Sequence, residues 1–279
     1  MSSIYTHIPF CKQACHYCDF HFSTSMGKKE AMIEALIQEM ILRKDEFKNE
    51  VVDCIYFGGG TPSVLETSEI NLLIDTVYKN YQISDSSEIT LEANPDDLSE
   101  AKIKALNASA INRLSIGVQS FFEEDLKLMN RAHNAQEAMD CITLSRKHFQ
   151  NISLDLIYGI PQMSDTRWIE NIEKALALEV PHISAYALTV EPKTALENFI
   201  KKGIIPPVED EVAQQHHAIL VDKMEAAGYE NYEFSNFGKP NFHSRNNTAY
   251  WEGKRYIGCL LYTSPSPRDQ RGSRMPSSA

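Results

Sequence analysis

Three cysteines, Cys11, Cys15 and Cys18, stand together in CKQACHYC, half of the six in a chain of 279 residues. Thiolates are soft ligands, and several in one loop select zinc or an iron–sulfur centre. A structural zinc site closes with four ligands, ordinarily as two separated pairs, and the sequence has no second pair. His16 could be offered as a fourth ligand, but it adjoins Cys15 and is poorly placed to converge with all three thiols. Three thiolates from one loop suit a [4Fe–4S] cube whose fourth iron is left open to an external ligand. Cys54 and Cys141 read as small core residues of a strand and a helix.

The elements that must position those thiols are legible along the chain. Short β-rich runs occur at 4–10, 53–59, 88–94, 113–119, 152–161 and 182–190. Several are nearly continuous apolar runs, as expected of parallel strands covered on both faces. Helical patterns lie between them. In the first, Ile33, Leu36, Ile37, Met40 and Ile41 form one apolar stripe at i, i+3, i+4, i+7, i+8. Six successive βα units imply right-handed crossovers and a parallel sheet. The fold class is α/β: a partial (β/α)6 barrel over 1–205, with a doubly wound sheet as the alternative. Pro206 and Pro207 mark a linker. Residues 206–258 then read as the start of a C-terminal α+β accessory region, with a helix from about Asp210 to Ala227 and a strand at 229–238. Residues 259–279 change composition abruptly, with little apolar content besides Met275 in the last 17. They are expected to be a disordered tail foreign to the fold.

In a parallel barrel, ligands gather at the C-terminal ends of the strands. The first strand runs into the cysteines and the second into Gly58, Gly59, Gly60 and Thr61. The third ends in Glu92 and Asn94, and the fourth in Gln119 and Ser120. The fifth carries Asp155, and the sixth ends in Thr189 and Glu191. Each has a plainer reading. The glycines could be an ordinary tight turn, and Gln119 alone says little. Asp155 interrupts an apolar run, where a charge costs free energy unless paired or used. His7 reads as a satisfied core histidine, and His216 and His217 as surface residues. Polar or glycine-rich ends on all six strands point to one shared site on one rim.

The chain opens on SSIYTHIPF, without a basic and apolar leader, and has no apolar stretch of membrane-spanning length. A cytoplasmic, reducing location without stable membrane insertion is therefore expected. There, close-spaced cysteines are more often ligands than disulfides. The net charge of -11 argues against nucleic acid as a partner, because phosphate neutralisation needs clustered Lys and Arg.

YTHIPFCKQACHYCDF, YFGGGTPS, LEANPDD, RLSIGVQSF, LMNRAHN, DLIYGIP and SRNNTAYW together resemble the radical S-adenosylmethionine (SAM) superfamily, in its coproporphyrinogen-oxidase-like branch. The resemblance covers about residues 4–258. It implies that Cys11, Cys15 and Cys18 hold the cluster and that SAM chelates the open iron. Gly59, Gly60 and Thr61 would meet the methionine end of SAM. Tyr5, the backbone at Tyr17, Glu92, Gln119, Arg131 and Asp155 would contact the rest. The reduced cluster would then cleave SAM to methionine and a 5′-deoxyadenosyl radical, with an electron donor as partner.

Two departures separate the chain from the oxidase of that branch. Phe20 stands where the oxidase has a further cysteine, and the chain lacks the oxidase's longer N-terminal arm. Both favour the branch's heme chaperones, whose partners would be heme or another porphyrin and a heme-accepting protein. The heme-associated HNxxYW motif of those chaperones reads NNTAYW, with Asn246 at the histidine position, so that nitrogen ligand is absent and His243 is the neighbouring alternative. The branch's remaining C-terminal domain is missing after Gly258, which implies a truncated member. The other readings are oxidative decarboxylation of coproporphyrinogen III and a zinc-stabilised interaction domain.

Overall fold

The computed structural model describes residues 2–260. Six parallel strands follow chain order across the sheet: β1 (Ser2–Ile8), β2 (Val51–Gly59), β3 (Gln82–Ala93), β4 (Arg113–Gln119), β5 (Asn151–Tyr158) and β6 (His182–Ala187). Their crossovers carry α1 (Lys29–Leu42), α2 (Thr67–Asn80), α3 (Glu100–Asn107), α4 (Glu123–Leu128), α5 (Ala135–Ser145) and α6 (Asp165–Ala177). Then come α7 (Ala195–Lys201), α8 (Asp210–Ala226), β7 (Glu230–Asn231), β8 (Asn236–Gly238), α9 (Arg245–Trp251) and β9 (Tyr256–Cys259). The sheet has the order β7-β8-β6-β5-β4-β3-β2-β1-β9 and stays open, as a partial barrel does.

The strands differ from the expected form in one respect. They are not apolar on both sides. Register places Phe57, Leu91, Leu114 and Ile152 in one row, and Ala93, Ile116, Leu154 and Ile183 in the next, all on one face. That face joins Ile33, Leu36, Ile70, Leu73, Ile103, Ile142, Trp168 and Ile172 of the helices in one core. The opposite face carries Tyr5, Tyr56, Thr90 and Arg113 in one row, and Glu92, Ser115, Ser153 and His182 in another. Because successive side chains alternate faces, one strand serves both a dry core and a polar lumen.

The segment after 205 adds to the same sheet. β8 pairs antiparallel with β6, and β7 with β8. β9 pairs parallel with β1 at the other edge. The strand expected at 229–238 is interrupted. Asn231 Nδ2 donates to Glu233 O at 2.6 Å, and Glu233 Oε1 accepts from Ser235 N at 3.0 Å. These bonds turn the chain between β7 and β8. The tail, expected from 259, starts too early: Cys259 is fully buried and completes β9. Residues 261–279 of that expectation lie outside the described residues. α9 packs against β1 and β2, and its Arg245 N donates to Glu88 Oε1 at 3.0 Å, which sets it across the inner end of the lumen.

The outer layer is held by a contact that His216 and Trp168 share. His216 was expected at the surface, but it is fully buried. Its Nδ1 accepts from Gly159 N at 3.2 Å, and its carbonyl accepts from Trp168 Nε1 at 2.8 Å. Its Nε2 lies 3.3 Å from Asp165 Oδ1, so both ring nitrogens and the carbonyl face polar groups despite the burial. Trp168→Ala would remove the largest fully buried side chain and unlock α6 from α8. Urea unfolding of the variant should show a loss of roughly 3–5 kcal/mol.

Candidate functional site

The polar face of the sheet and the cysteine loop enclose a cavity of about 190 Å³. Cys11, Cys15, Cys18, Tyr17, Gly59, Gly60, Thr61, Glu92, Gln119, Arg131 and Asp155 all line it. Thr189 and Glu191 from the end of β6 line it too, so all six strand ends meet at one rim. Tyr5 is not among the lining side chains. Its ring stacks on Tyr56, with centroids 5.9 Å apart and planes 13° from parallel, and so backs the wall from behind.

The loop that carries the thiols is anchored at several points. Cys11 N donates to Ser23 O at 3.1 Å, and His16 N to Met129 O at 3.0 Å. Asn130 Nδ2 donates to Ala14 O at 2.7 Å, while Gln13 Nε2 reaches Asn130 O at 2.9 Å. His16 uses Nδ1 against Leu128 O at 2.8 Å and sets its ring edge-on to Phe199. It therefore serves as a brace for the loop. His7 makes a ring-nitrogen contact of 3.2 Å with His21 O, as a satisfied core histidine should.

Two donors point at sulfur. Thr61 Oγ1 lies 3.4 Å from Cys11 Sγ, and Arg131 Nη1 lies 3.3 Å from Cys15 Sγ. Arg131 also donates through Nη2 to Asn94 Oδ1 at 2.6 Å and Gly117 O at 2.9 Å, tying the loop to the ends of β3 and β4. Burial works against its charge, but Tyr17 and Cys15 hold its acidity weaker than that of a free guanidinium. Burial pushes the Cys18 thiol up to about 12 and raises Cys11 as well. Ionised sulfur at this depth requires positive charge at hand, which iron supplies. The glycine turn leaves the space open. Gly59 has φ +115°, and a Cβ on it would stand 2.6 Å from His7 Nδ1. A Cβ on Gly60 would stand 2.8 Å from Phe10 O and 3.0 Å from Cys11 Sγ.

These features fit the cluster that the thiols suggest: three sulfurs, two of them met by donors, and a turn without side chains beside them. A cube takes one thiolate at each of three irons rather than three at one point.

Deeper in, two carboxyls face the cavity and are otherwise enclosed by protein. Glu92 accepts from Tyr56 Oη at 2.8 Å and from Gly59 N at 3.2 Å. Burial nonetheless pushes it up to about 8, helped by Asp155, against the pull of those two donors. Burial raises Asp155 to about 6, offset in part by Ser184 and Ser115. Near neutrality the first holds a proton and the second does not, so the pair offers one donor and one acceptor.

Several lining residues are not signalled by strand ends: Tyr56, Arg113, Ser115, Ser184 and Tyr186, with Asn247 from α9. Their alternation within the strand runs is the signal that could have found them. Ser120 leaves the expected rim. Gln119 takes φ 69° where the β4–β5 register shifts. Ser120 Oγ then lies buried, bonded to Asp125 Oδ2 at 2.7 Å and Asn171 Oδ1 at 3.2 Å. His243 is packed away from the cavity wall, its ring 4.2 Å from Tyr232 and its Nε2 2.9 Å from Glu230 Oε2.

Residues 5–183 match the radical SAM superfamily, and the chain belongs to it. Within the superfamily its curated relatives include the HemW proteins. It is 40% identical over 264 residues to the heme chaperone HemW of Bacillus subtilis (strain 168), with 92% of this chain and 69% of that protein covered. With the heme chaperone HemW of Escherichia coli (strain K12) it shares 35% identity over 262 residues, covering 92% and 68%. Among solved structures, coproporphyrinogen III oxidase (HemN) from Escherichia coli superposes with a TM-score of 0.80 at 25% identity, over 92% of this chain and 62% of that one. The chain thus spans about two thirds of the length of these proteins.

The raised pKa of Glu92 carries a pH dependence with a definite sign. The folded chain keeps this proton to about pH 8, whereas the free carboxyl releases it near 4.5. Stability therefore falls as pH rises between those limits. Glu92→Gln keeps a neutral group in place and should flatten that fall. Its thermal midpoint should match the parent's at the acid end and exceed it at the alkaline end.

Proposed function

We propose that the chain binds a [4Fe–4S] cluster through Cys11, Cys15 and Cys18, binds SAM beside it, and acts as a heme chaperone that passes heme to an acceptor protein in the cytoplasm. The observation that carries the reading is three thiols gathered on a rim with the glycine turn, Arg131 and two buried carboxyls, in a chain whose relatives are named as heme chaperones. Bound there, the cluster supplies one-electron chemistry to SAM. The chain's own residues do the rest. Arg131 fixes Cys15 and leaves an Nε without a partner. Gly59 and Gly60 let the backbone come close to the methionine end. Glu92 and Asp155 offer their donor and acceptor to the remainder, and Gln119 reaches in from its left-handed bend.

The other reading is the oxidase, supported by the superposition on HemN. Phe20 argues against it: an aromatic ring lines the cavity where the oxidase motif carries another thiol. On the chaperone reading, Asn246 and Asn247 bring amides in place of an imidazole, both largely buried on α9. The motif then contributes polar contact rather than a nitrogen ligand.

Anaerobic reconstitution is expected to load about four irons and four sulfides per chain, lost together in Cys15→Ala. Stoichiometric zinc without sulfide would contradict the cluster. The loaded protein should give a saturable absorbance change with ferric heme. With coproporphyrinogen III, SAM and a reductant it should give no protoporphyrinogen; formation of that product would decide for the oxidase.

A further inference from the structure

The cavity continues beyond the residues that the resemblance assigns. Along β4 the lumen face runs from Gln119 through Gly117 and Ser115 to Arg113, at the other end of a seven-residue strand. That places the Arg113 backbone roughly 20 Å along the strand from Gln119 at about 3.3 Å per residue, while its side chain comes close enough to act on Glu92 and Asp155. Arg113 is only 2% exposed, yet it lines the cavity. Its Nε has no hydrogen-bond partner among the described residues. Glu88 and Asp155 face its charge, and each also accepts a bond from a neutral donor. Glu88 Oε1 accepts from Arg245 N at 3.0 Å, and Asp155 Oδ1 accepts from Ser115 Oγ at 3.4 Å. A guanidinium cannot shed its proton to escape burial, and an ion taken out of water costs several kcal/mol unless another charge or set of bonds replaces the water.

We propose that Arg113 is an anion subsite at the inner end of the lumen, which grips a carboxylate of the bound ligand with the Asn247 amide of α9 beside it. A planar guanidinium matches a carboxylate in two-pronged fashion. Phosphate would fit the fork too, but its second charge would be repelled by Asp155 in the same small cavity. A carboxylate carried on an alkyl arm can reach the fork. Two ligands carry such a group: SAM on its methionyl end, and a tetrapyrrole on its propionates. The distance of Arg113 from the thiols favours the propionate, and that assignment rests on the chaperone reading.

Paired ligands separate the possibilities. Ferric protoporphyrin IX and its dimethyl ester, and SAM and decarboxylated SAM, would each be titrated into the reconstituted chain and into Arg113→Met, which keeps the stem and removes the fork. The expected result is a loss of about tenfold or more for the porphyrin free acid alone, the scale of one charge-assisted bidentate contact. A loss confined to SAM and absent for its decarboxylated form would keep the subsite and move its source to SAM. No carboxylate-dependent loss with either pair, in a variant of unchanged circular dichroism and cluster loading, would overturn the subsite. Failure of the unmutated chain to take any tetrapyrrole would refute the chaperone reading and leave the SAM pair to decide the subsite.

Discussion

Everything in this molecule depends on the alternation of side chains along six parallel strands. A parallel strand joined to its neighbours by helices must give one face to those helices. Leu91, Leu114, Leu154 and Ile183 do so, each buried against the helical layer. The other face is then free of the demand for hydrophobic burial, and it carries Glu92, Arg113, Ser115, Asp155 and Ser184. Neither face could be changed alone. A one-residue slip in register would send carboxyls into the core and leucines into the lumen.

The same constraint explains why the thiol loop needs so much support. Strand β1 can deliver Cys11 to the rim, but Cys15 and Cys18 lie on irregular chain that no sheet bond holds. Their position is set by side-chain-to-backbone bonds from Gln13, His16 and Asn130, and by the guanidinium of Arg131 between Cys15, Asn94 and Gly117. Asn130 takes φ 57° to make that junction, a conformation asparagine tolerates better than most residues. The cluster loop is thus fastened to the segment after α4 more than to its own strand.

Legibility in the sequence follows from these two kinds of support. The thiols, the glycine turn, Glu92 and Asp155 were visible because each breaks the apolar pattern at or near a strand end. Arg131 carries no such mark. It sits in a loop among other polar residues, and only resemblance singled it out. Arg113, Ser115, Ser184 and Tyr186 were hidden for another reason. Serine and tyrosine are ordinary in strands, so strands that alternate between two faces read as continuous runs. Ser120 misled because it was grouped with Gln119 as one strand end, whereas Gln119 takes a positive φ and Ser120 turns to Asp125 and Asn171. His216 misled because its partners, Gly159 and Trp168, are distant in sequence.

The charge arrangement of the lumen also follows from its enclosure. Arg113, Arg131, Glu92 and Asp155 are held deep in the wall, where burial weighs against charge, so each must be neutralised, bonded or reserved. Glu92 is neutralised by keeping its proton, as its raised pKa requires. Asp155 is bonded by two serine hydroxyls. Arg131 is bonded on two of its nitrogens by the structure itself. Arg113 has the least such provision, with an Nε that nothing meets, and it is the group farthest from the rim along its strand. Its charge also faces Glu88 and Asp155, which a leucine or methionine at this position would leave without a cation. A guanidinium at that depth is understandable when the lumen is built to be filled.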